Sequence, residues 1–425
     1  MKILWTVNLV PREVAQKIGL TSEVLGGWVE SMASHLRTFN DLELYILCKN
    51  ETDIDFDETI NNVRYISLNY NGKTTLNTLE LKCEKVVLDC KPDIIQVEGT
   101  EFLHAEAMLN TGNKLEIPTV VSLQGILSGY YQYQCGQLPI NEMMFSKSIK
   151  NIISAWYLHL RLVKWFRPRV KHETNVISKA KILLGRTSWD RAHAYRINPT
   201  AKFYDCKRIL RTPFYENDWN IGKIERHTIY VGNGYNALKG AHFVVNALPE
   251  LIREYPDVKV YIAGYKPFEE NDKRPMYKRG YGLFLEKLIQ DLGVGEHIVF
   301  TGPLQAEEVA DKLSKVHAYV LCSAIENSPN TLGEAMCIGT PCVAAYVGGV
   351  PDMATDGENA LFYRNDDPAL LAWNIKRIFD DDDLALKLSA NGRKQARITH
   401  DAEKNAQALF TIYQTIRGNM NVVEY

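Results

Sequence analysis

The stretch LCSAIENSPNTLGEAMCIGTPCVAAYVGGVPD, Leu321 to Asp352, decides how the rest of the chain is read. An apolar run from Ala318 to Cys322 reads as a strand and gives way to a polar loop. A helical pattern opens near Asn330 to Leu332, Gly339 ends it, and PCVAA resumes as a second strand. In parallel α/β sheets, ligands bind where strand C-termini meet helix N-termini. The amides of Asn330, Thr331, Leu332 and Gly333 are then expected to be free donors at the positive helix end, a geometry that suits a phosphate. Glu326 and Glu334 bracket the loop with seven residues between them. Carboxylates suit sugar hydroxyls because each accepts two hydrogen bonds in a defined plane. A capping carboxylate beside a surface glutamate is the bland alternative for the same pair.

Outward from this stretch the same alternation runs through the chain. KILWTVNLV, LELYILC, VRYISL, DIIQV and TVVSL read as strands in the first half. HTIYVG, VKVYIAG, HIVFTG, AYVLCS and PCVAA follow in the second. Continuous apolar strands separated by amphipathic helices predict parallel sheets covered on both faces. The alternation breaks at RTPFYENDWNIGKIERH, which places a domain boundary near residue 220. With 425 residues, 46% of them hydrophobic and 24% charged, the chain suits two globular domains. A net charge of −2 argues against a general nucleic-acid binder. The eight cysteines form no C-x-x-C pair and sit largely in apolar runs, a pattern that suits a reducing compartment. No apolar run reaches the ~18 residues of a membrane span, so a cytoplasmic protein is expected.

Glu, seven residues, Glu, then A...GTPCVA...GGVPD resembles the donor site of retaining glycosyltransferases of family 4, which have the GT-B fold. The likeness continues upstream in YVGNGYNALKGAHFVVNALPEL, VYIAG and HIVFTGPLQAEEVADKLSKVHAYV, and more weakly in GGWVESMASHL. It implies an α/β chain of two Rossmann-like domains facing across a cleft: residues 1–220 on the acceptor side, residues 221–395 holding a nucleotide sugar, and residues 396–425 as a C-terminal helix packing back on the first domain. By resemblance, Glu326 contacts the donor sugar's hydroxyls, Glu334 holds the ribose, and the amides at Asn330, Thr331 and Leu332 hold the diphosphate. Lys239 pairs with the phosphates. Gly26 and Gly27 let the first-domain backbone approach the donor. Pro303 and Leu304 line the base, and Gly264 of VYIAG belongs to the same donor region. The ordinary alternatives are a solvated lysine, a plain glycine turn and a strand-to-helix loop.

Two positions depart from the family pattern. Asn233 stands where an arginine usually shares the phosphates, and Gln124 stands where a histidine usually lies near the reacting sugar. An amide can hydrogen-bond a hydroxyl there but cannot titrate near neutral pH. The implied activity is transfer of a sugar, with retention and without a metal or other cofactor, to a glycan or lipid-linked acceptor in cell-surface polysaccharide synthesis. A non-catalytic nucleotide-sugar-binding partner protein and a sugar-nucleotide epimerase on the same fold are the rivals.

Other signals are weaker. GNGYNA, Gly232 to Ala237, matches a dinucleotide fingerprint, but the next strand ends VYIAGYK without the acidic residue a dehydrogenase needs. NGKTT lacks the P-loop's first glycine, and DIDFD, Asp53 to Asp57, reads as a solvated loop instead of a metal clamp. GRTSWDRAHAYRINP offers Arg186 and Asp190 either to the acceptor or as a structural pair. Residues 143–172 contain no acidic side chain and interleave lysine and arginine with aromatic rings. They are read either as a face docking on the anionic inner membrane leaflet or as a packed helix with a solvated basic rim.

Overall fold

A computed structural model describes residues 1–19, 27–52, 54–138, 149–266 and 276–420, with the backbone alone at 149–159, 161–162, 276–280 and 419–420. The chain divides into two compact units. The first comprises Met1–Gly129, Arg167–Arg211 and His400–Tyr425; the second comprises Tyr130–Phe166 and Thr212–Thr399. Residues 130–166 therefore group with the second unit, although the sequence reading left them inside the first domain.

The first unit is built on β1 (Lys2–Val7), β2 (Glu43–Asn50), β3 (Asp57–Ile60), β4 (Val63–Asn69), β5 (Ile94–Glu98), β6 (Thr119–Ser122), β7 (Ile182–Gly185) and β8 (Lys202–Asp205). Their order across the sheet is β3-β4-β2-β1-β5-β6-β7-β8. Every pairing is parallel except β3 with β4 at the edge. Asp57, expected in a solvated loop, opens that edge strand instead. Its carboxylate takes two hydrogen bonds of 2.7 Å from Arg64 on β4, a cross-strand ion pair that sequence periodicity does not announce. Asp53 lies outside the described residues.

The central strands of the first unit bury both faces, as their unbroken apolar runs require. The helix Ala402–Met420 is held to this sheet by a buried polar chain. Trp5 Nε1 donates to Tyr413 Oη at 2.9 Å, and Tyr413 donates to Gln96 Oε1 at 2.6 Å. Gln96 Nε2 donates to Glu98 Oε1 at 2.6 Å, and Arg208 pairs with Glu98 at 3.2 Å. Each polar group in this chain has a partner, which removes the cost of burying it.

The second unit carries β9 (Glu225–Val231), β10 (Lys259–Ile262), β11 (Ile298–Phe300), β12 (Val316–Leu321), β13 (Cys342–Ala345) and β14 (Leu361–Tyr363). All pairings are parallel, in the order β11-β10-β9-β12-β13-β14. Counted within the unit this is 3-2-1-4-5-6, the doubly wound order whose switch point lies between the first and fourth strands. The helix Ala241–Glu254 buries Val244, Val245, Leu248 and Leu251, one stripe at helical spacing. The helix Asn330–Ile338 is buried from Leu332 onward and ends at Gly339, whose φ of 91° is the left-handed conformation glycine accepts most readily.

Candidate active site

At the switch point, β9 and β12 are neighbours and their following loops diverge to opposite faces of the sheet. The loop after β9 reads GNGYNALKG. Asn233 Oδ1 accepts from the Tyr235 amide at 2.9 Å, and Asn236 Oδ1 accepts from the Lys239 amide at 3.1 Å. These side chains close two local turns and place Lys239 at the end of a short 3₁₀ turn, Ala237–Lys239. Gly240 follows with φ 73°, and a Cβ there would lie 1.9 Å from Cys322 O. No larger residue fits between the turn and the end of β12.

The loop after β12 is sewn to the same turn. The Ala324 amide donates to Leu238 O at 2.8 Å, and Cys322 Sγ donates to Lys239 O at 3.2 Å. Burial pushes the Cys322 thiol up to about 12, so it stays a neutral donor. Lys239 Nζ then lies 2.5 Å from Glu326 Oε1, which also accepts from Ser323 Oγ at 2.8 Å. The lysine side chain is 32% exposed and the glutamate 11%, so solvent reaches the pair from the lysine side. Gly348 and Gly349, after β13, back the glutamate: the Gly349 amide donates to Glu326 O at 3.0 Å. A Cβ on Gly348 would lie 1.9 Å from that oxygen.

The tip of the helix Asn330–Ile338 stands beside these loops. A Cβ on Gly232 would lie 3.3 Å from Thr331 Cβ, so the β9 loop and the helix tip are in close approach. Thr331 Oγ1 accepts from the buried Tyr319 hydroxyl at 2.9 Å, fixing the first turn from below. One expectation is corrected here. The Leu332 and Gly333 amides are not free; both donate to Pro329 O, at 3.1 and 3.3 Å. Pro329, itself lacking an amide, turns its carbonyl inward and uses those donors. The Asn330 and Thr331 amides have no partner among the described residues, and no side chain caps the helix. Glu334 is buried one turn in.

Along the flank, the Gly264 amide donates to Gly302 O at 2.9 Å, joining the exits of β10 and β11. Both glycines have positive φ, and a Cβ on either would meet open space, so conformation and not crowding selects them. Pro303 is exposed and Leu304 half-buried just beyond, while Asn233 is exposed on the β9 loop. Lys239, Glu326, Asn330, Thr331, Leu332 and Glu334 thus follow the central strands β9 and β12, with Gly264, Pro303 and Leu304 in the loops after the neighbouring β10 and β11.

Two further candidates lie in the first unit. Gly27 opens the helix Gly27–Leu36, and a Cβ there would come 2.9 Å from Arg211 Cδ. Gly26 lies outside the described residues. Gln124 follows β6, and its Nε2 is buried without a partner among the described residues. Its backbone carbonyl is held by the Arg186 guanidinium, which also donates to Leu123 O at 3.1 Å. Asp190, in contrast, is a cap: its carboxylate takes the Arg186 and Thr187 amides at 2.9 and 3.2 Å. Arg186 and Asp190 therefore organise the backbone around Gln124. Sequence reasoning missed Glu101, whose Oε1 accepts from Asn8 Nδ2 at 3.1 Å between the exits of β1 and β5. A lone acidic residue after a strand is too common a pattern to single it out.

Parts of the chain, and its fold, are similar to known proteins. Residues 212–395 match the family model of glycosyl transferases group 1. The D-inositol 3-phosphate glycosyltransferase of Corynebacterium urealyticum is 28% identical over 181 residues, 42% of this chain. That match covers 41% of the relative, so well under two thirds of its length is spanned. Among solved structures, sucrose-phosphate synthase from Thermosynechococcus elongatus superposes with a TM-score of 0.69 at 16% identity, covering 99% of this chain and all of the other. HepE from Anabaena, solved in complex with UDP, gives 0.69 at 16% identity over 98% of this chain and 100% of its own. The fold is that of GT-B glycosyltransferases, and residues 212–395 are similar to the glycosyl transferases group 1 family.

Proposed function

We propose that the protein is a retaining, metal-independent glycosyltransferase that draws a sugar from a nucleotide-sugar donor bound at the switch point of the second unit. The observation that carries this is the accessible Lys239–Glu326 pair, 2.5 Å apart, beside a helix tip whose Asn330 and Thr331 amides are unpaired among the described residues. A diphosphate fits such a tip because two amides and the helix dipole favour negative charge there. Lys239 adds a full positive charge where the leaving group gathers negative charge. Glu326, braced by Ser323 and Gly349, offers its remaining lone pairs to sugar hydroxyls, and Glu334 is assigned the ribose hydroxyls.

In the proposed reaction, the bond from the sugar's anomeric carbon to the diphosphate oxygen breaks. A bond from that carbon to the acceptor oxygen forms on the same face, and the acceptor's proton passes to the departing diphosphate. The acceptor class we favour is a glycan or lipid-linked sugar of cell-surface polysaccharide. The helix Ile149–Lys179 adds a specific reason to consider a membrane surface: Lys164, Arg167 and Lys171 are exposed at one-face spacing beside Trp165, itself 45% exposed. The side chains of residues 143–159 and 161–162 lie outside the described ones. No helix among the described residues is long and apolar enough to cross a membrane.

The test is product formation from a panel of nucleotide sugars in chelator, with and without lipid extract, reading the product's anomeric configuration. Transfer with retention supports the reading. Turnover of donor without acceptor would favour an epimerase. Donor binding without turnover would favour a binding protein, a reading helped by Asn233, which brings no charge and spends its carbonyl on Tyr235.

A further inference from the structure

Lys239 is carried on a turn of three residues, and a turn that short has little stiffness of its own. One side is fixed by the end of β12 through Cys322 and Ala324, as described above. The other side is covered by residues remote in sequence. Gly136 has φ 61°, is buried, and sits so close to the turn that a Cβ on it would lie 2.1 Å from Ala237 O. Its carbonyl accepts from His242 Nε2 at 3.1 Å, in the first turn of the helix that follows Lys239. The Gly136 amide closes back on Tyr133 O at 2.8 Å, so this segment is itself a formed turn.

His242 is fixed on its other edge too. Its Nδ1 lies 3.1 Å from Tyr281 Oη, which also accepts the His242 amide at 3.3 Å. With Tyr281 donating to Nδ1, the proton of the neutral ring must sit on Nε2, facing Gly136 O. Burial holds the ring's pKa down at about 4, so it stays neutral and keeps this single orientation. All these residues fall in the second unit.

We infer that Gly136 and His242 form a clamp that positions Lys239 for the diphosphate, making both of them positioning residues of the proposed donor site. The inference rests on the donor reading above. It assigns a task to residues 131–138: they supply the outer wall of the lysine turn, which β12 alone leaves open.

The test is calorimetric titration of UDP, GDP and ADP into the full chain and its variants, alongside melting midpoints without ligand. His242→Leu removes the donor to Gly136 O, whereas His242→Gln can return an N–H to the same place. Gly136→Ala inserts the forbidden Cβ. His317→Leu serves as the control: this histidine is buried in the same unit, on β12, and its ring is likewise held near 4. The clamp predicts about tenfold weaker diphosphate binding for His242→Leu and Gly136→Ala, and binding within about threefold of wild type for His242→Gln. His317→Leu should lower the melting midpoint without weakening affinity. Wild-type affinity in His242→Leu, or a loss equal in His242→Gln and His317→Leu, overturns the clamp even if Gly136→Ala does not fold. A wild-type chain that binds none of the three diphosphates overturns the donor reading and the clamp with it.

Discussion

The strand ends of the two units make different use of positive charge. In the first unit, Arg208 is buried to 8% exposure against Glu98 at 1%, and its guanidinium lies 3.6 Å from the centre of the Trp28 ring. Arg186 likewise gives its guanidinium to two carbonyls beside β6. These cations are structural, because withdrawing either would strand buried oxygens. In the second unit Lys239 is a third exposed, and its partner Glu326 can be rehydrated or can turn to another hydroxyl. A sealed cation holds a fold together; an accessible one can trade its partner for a ligand. The glycines divide along the same line. A Cβ on Gly240 or Gly348 would lie 1.9 Å from the Cys322 or Glu326 carbonyl oxygen, so backbone packing in the second unit serves the Lys239–Glu326 pair.

This contrast can be broken most forcefully at Lys239. Lys239→Ala is expected to cut kcat/KM by about 10²–10³-fold, the scale of losing one charge-stabilising group, with the melting midpoint nearly unchanged. Steady-state kinetics beside a thermal melt checks both halves. Glu98→Gln should do the reverse. It leaves Arg208 buried and unpaired and should cost about 3–5 kcal/mol in chemical denaturation, while donor affinity measured on the folded fraction stays at wild type. Gly348→Ala should affect both, since its Cβ collides with Glu326 O and its φ of 51° disfavours a side chain. A loss of about 1–3 kcal/mol is expected, with turnover falling alongside it. Gln124→Ala sharpens the comparison further. If the amide that Arg186 orients serves the reaction, turnover drops about tenfold at constant stability; a purely structural Gln124 would show the opposite.

Acidification should blur the contrast. Burial lowers His104 to about 3 in the first unit, and His242 and His317 to about 4 in the second. The unfolded chain takes up these protons near the ordinary value of 6.5, and the folded one does not until much lower pH. Stability is then fully present above about 6.5 and is lost progressively as pH falls toward 4. Melting midpoints followed from pH 7 to 4 should decline in both units together, and a flat profile would contradict the neutral burial of these rings.

Much of this was legible beforehand. Unbroken apolar runs such as AYVLCS and DIIQV announce parallel strands; spacing singles out Glu326 and Glu334 and family likeness adds Lys239, of which the structure brings Lys239 and Glu326 together. The illegible parts share a cause: they depend on contacts between residues remote in sequence. Nothing periodic marks Gly136 as a neighbour of Ala237, or places residues 130–166 with the second unit. Asp57 looked like loop because its partner, Arg64, lies across a strand pair. The Leu332 and Gly333 amides looked free because a helix N-terminus ordinarily leaves them so, whereas the Pro329 carbonyl captures both here.

The most direct test of the central claim is diffraction from crystals grown with the nucleoside diphosphate that most raises the melting midpoint. Phosphate oxygens should appear within hydrogen-bond distance of the Asn330 and Thr331 amides and of Lys239 Nζ, with the lysine drawn from Glu326. Diphosphate density elsewhere, with the Lys239–Glu326 pair intact and the helix tip empty, would contradict the account.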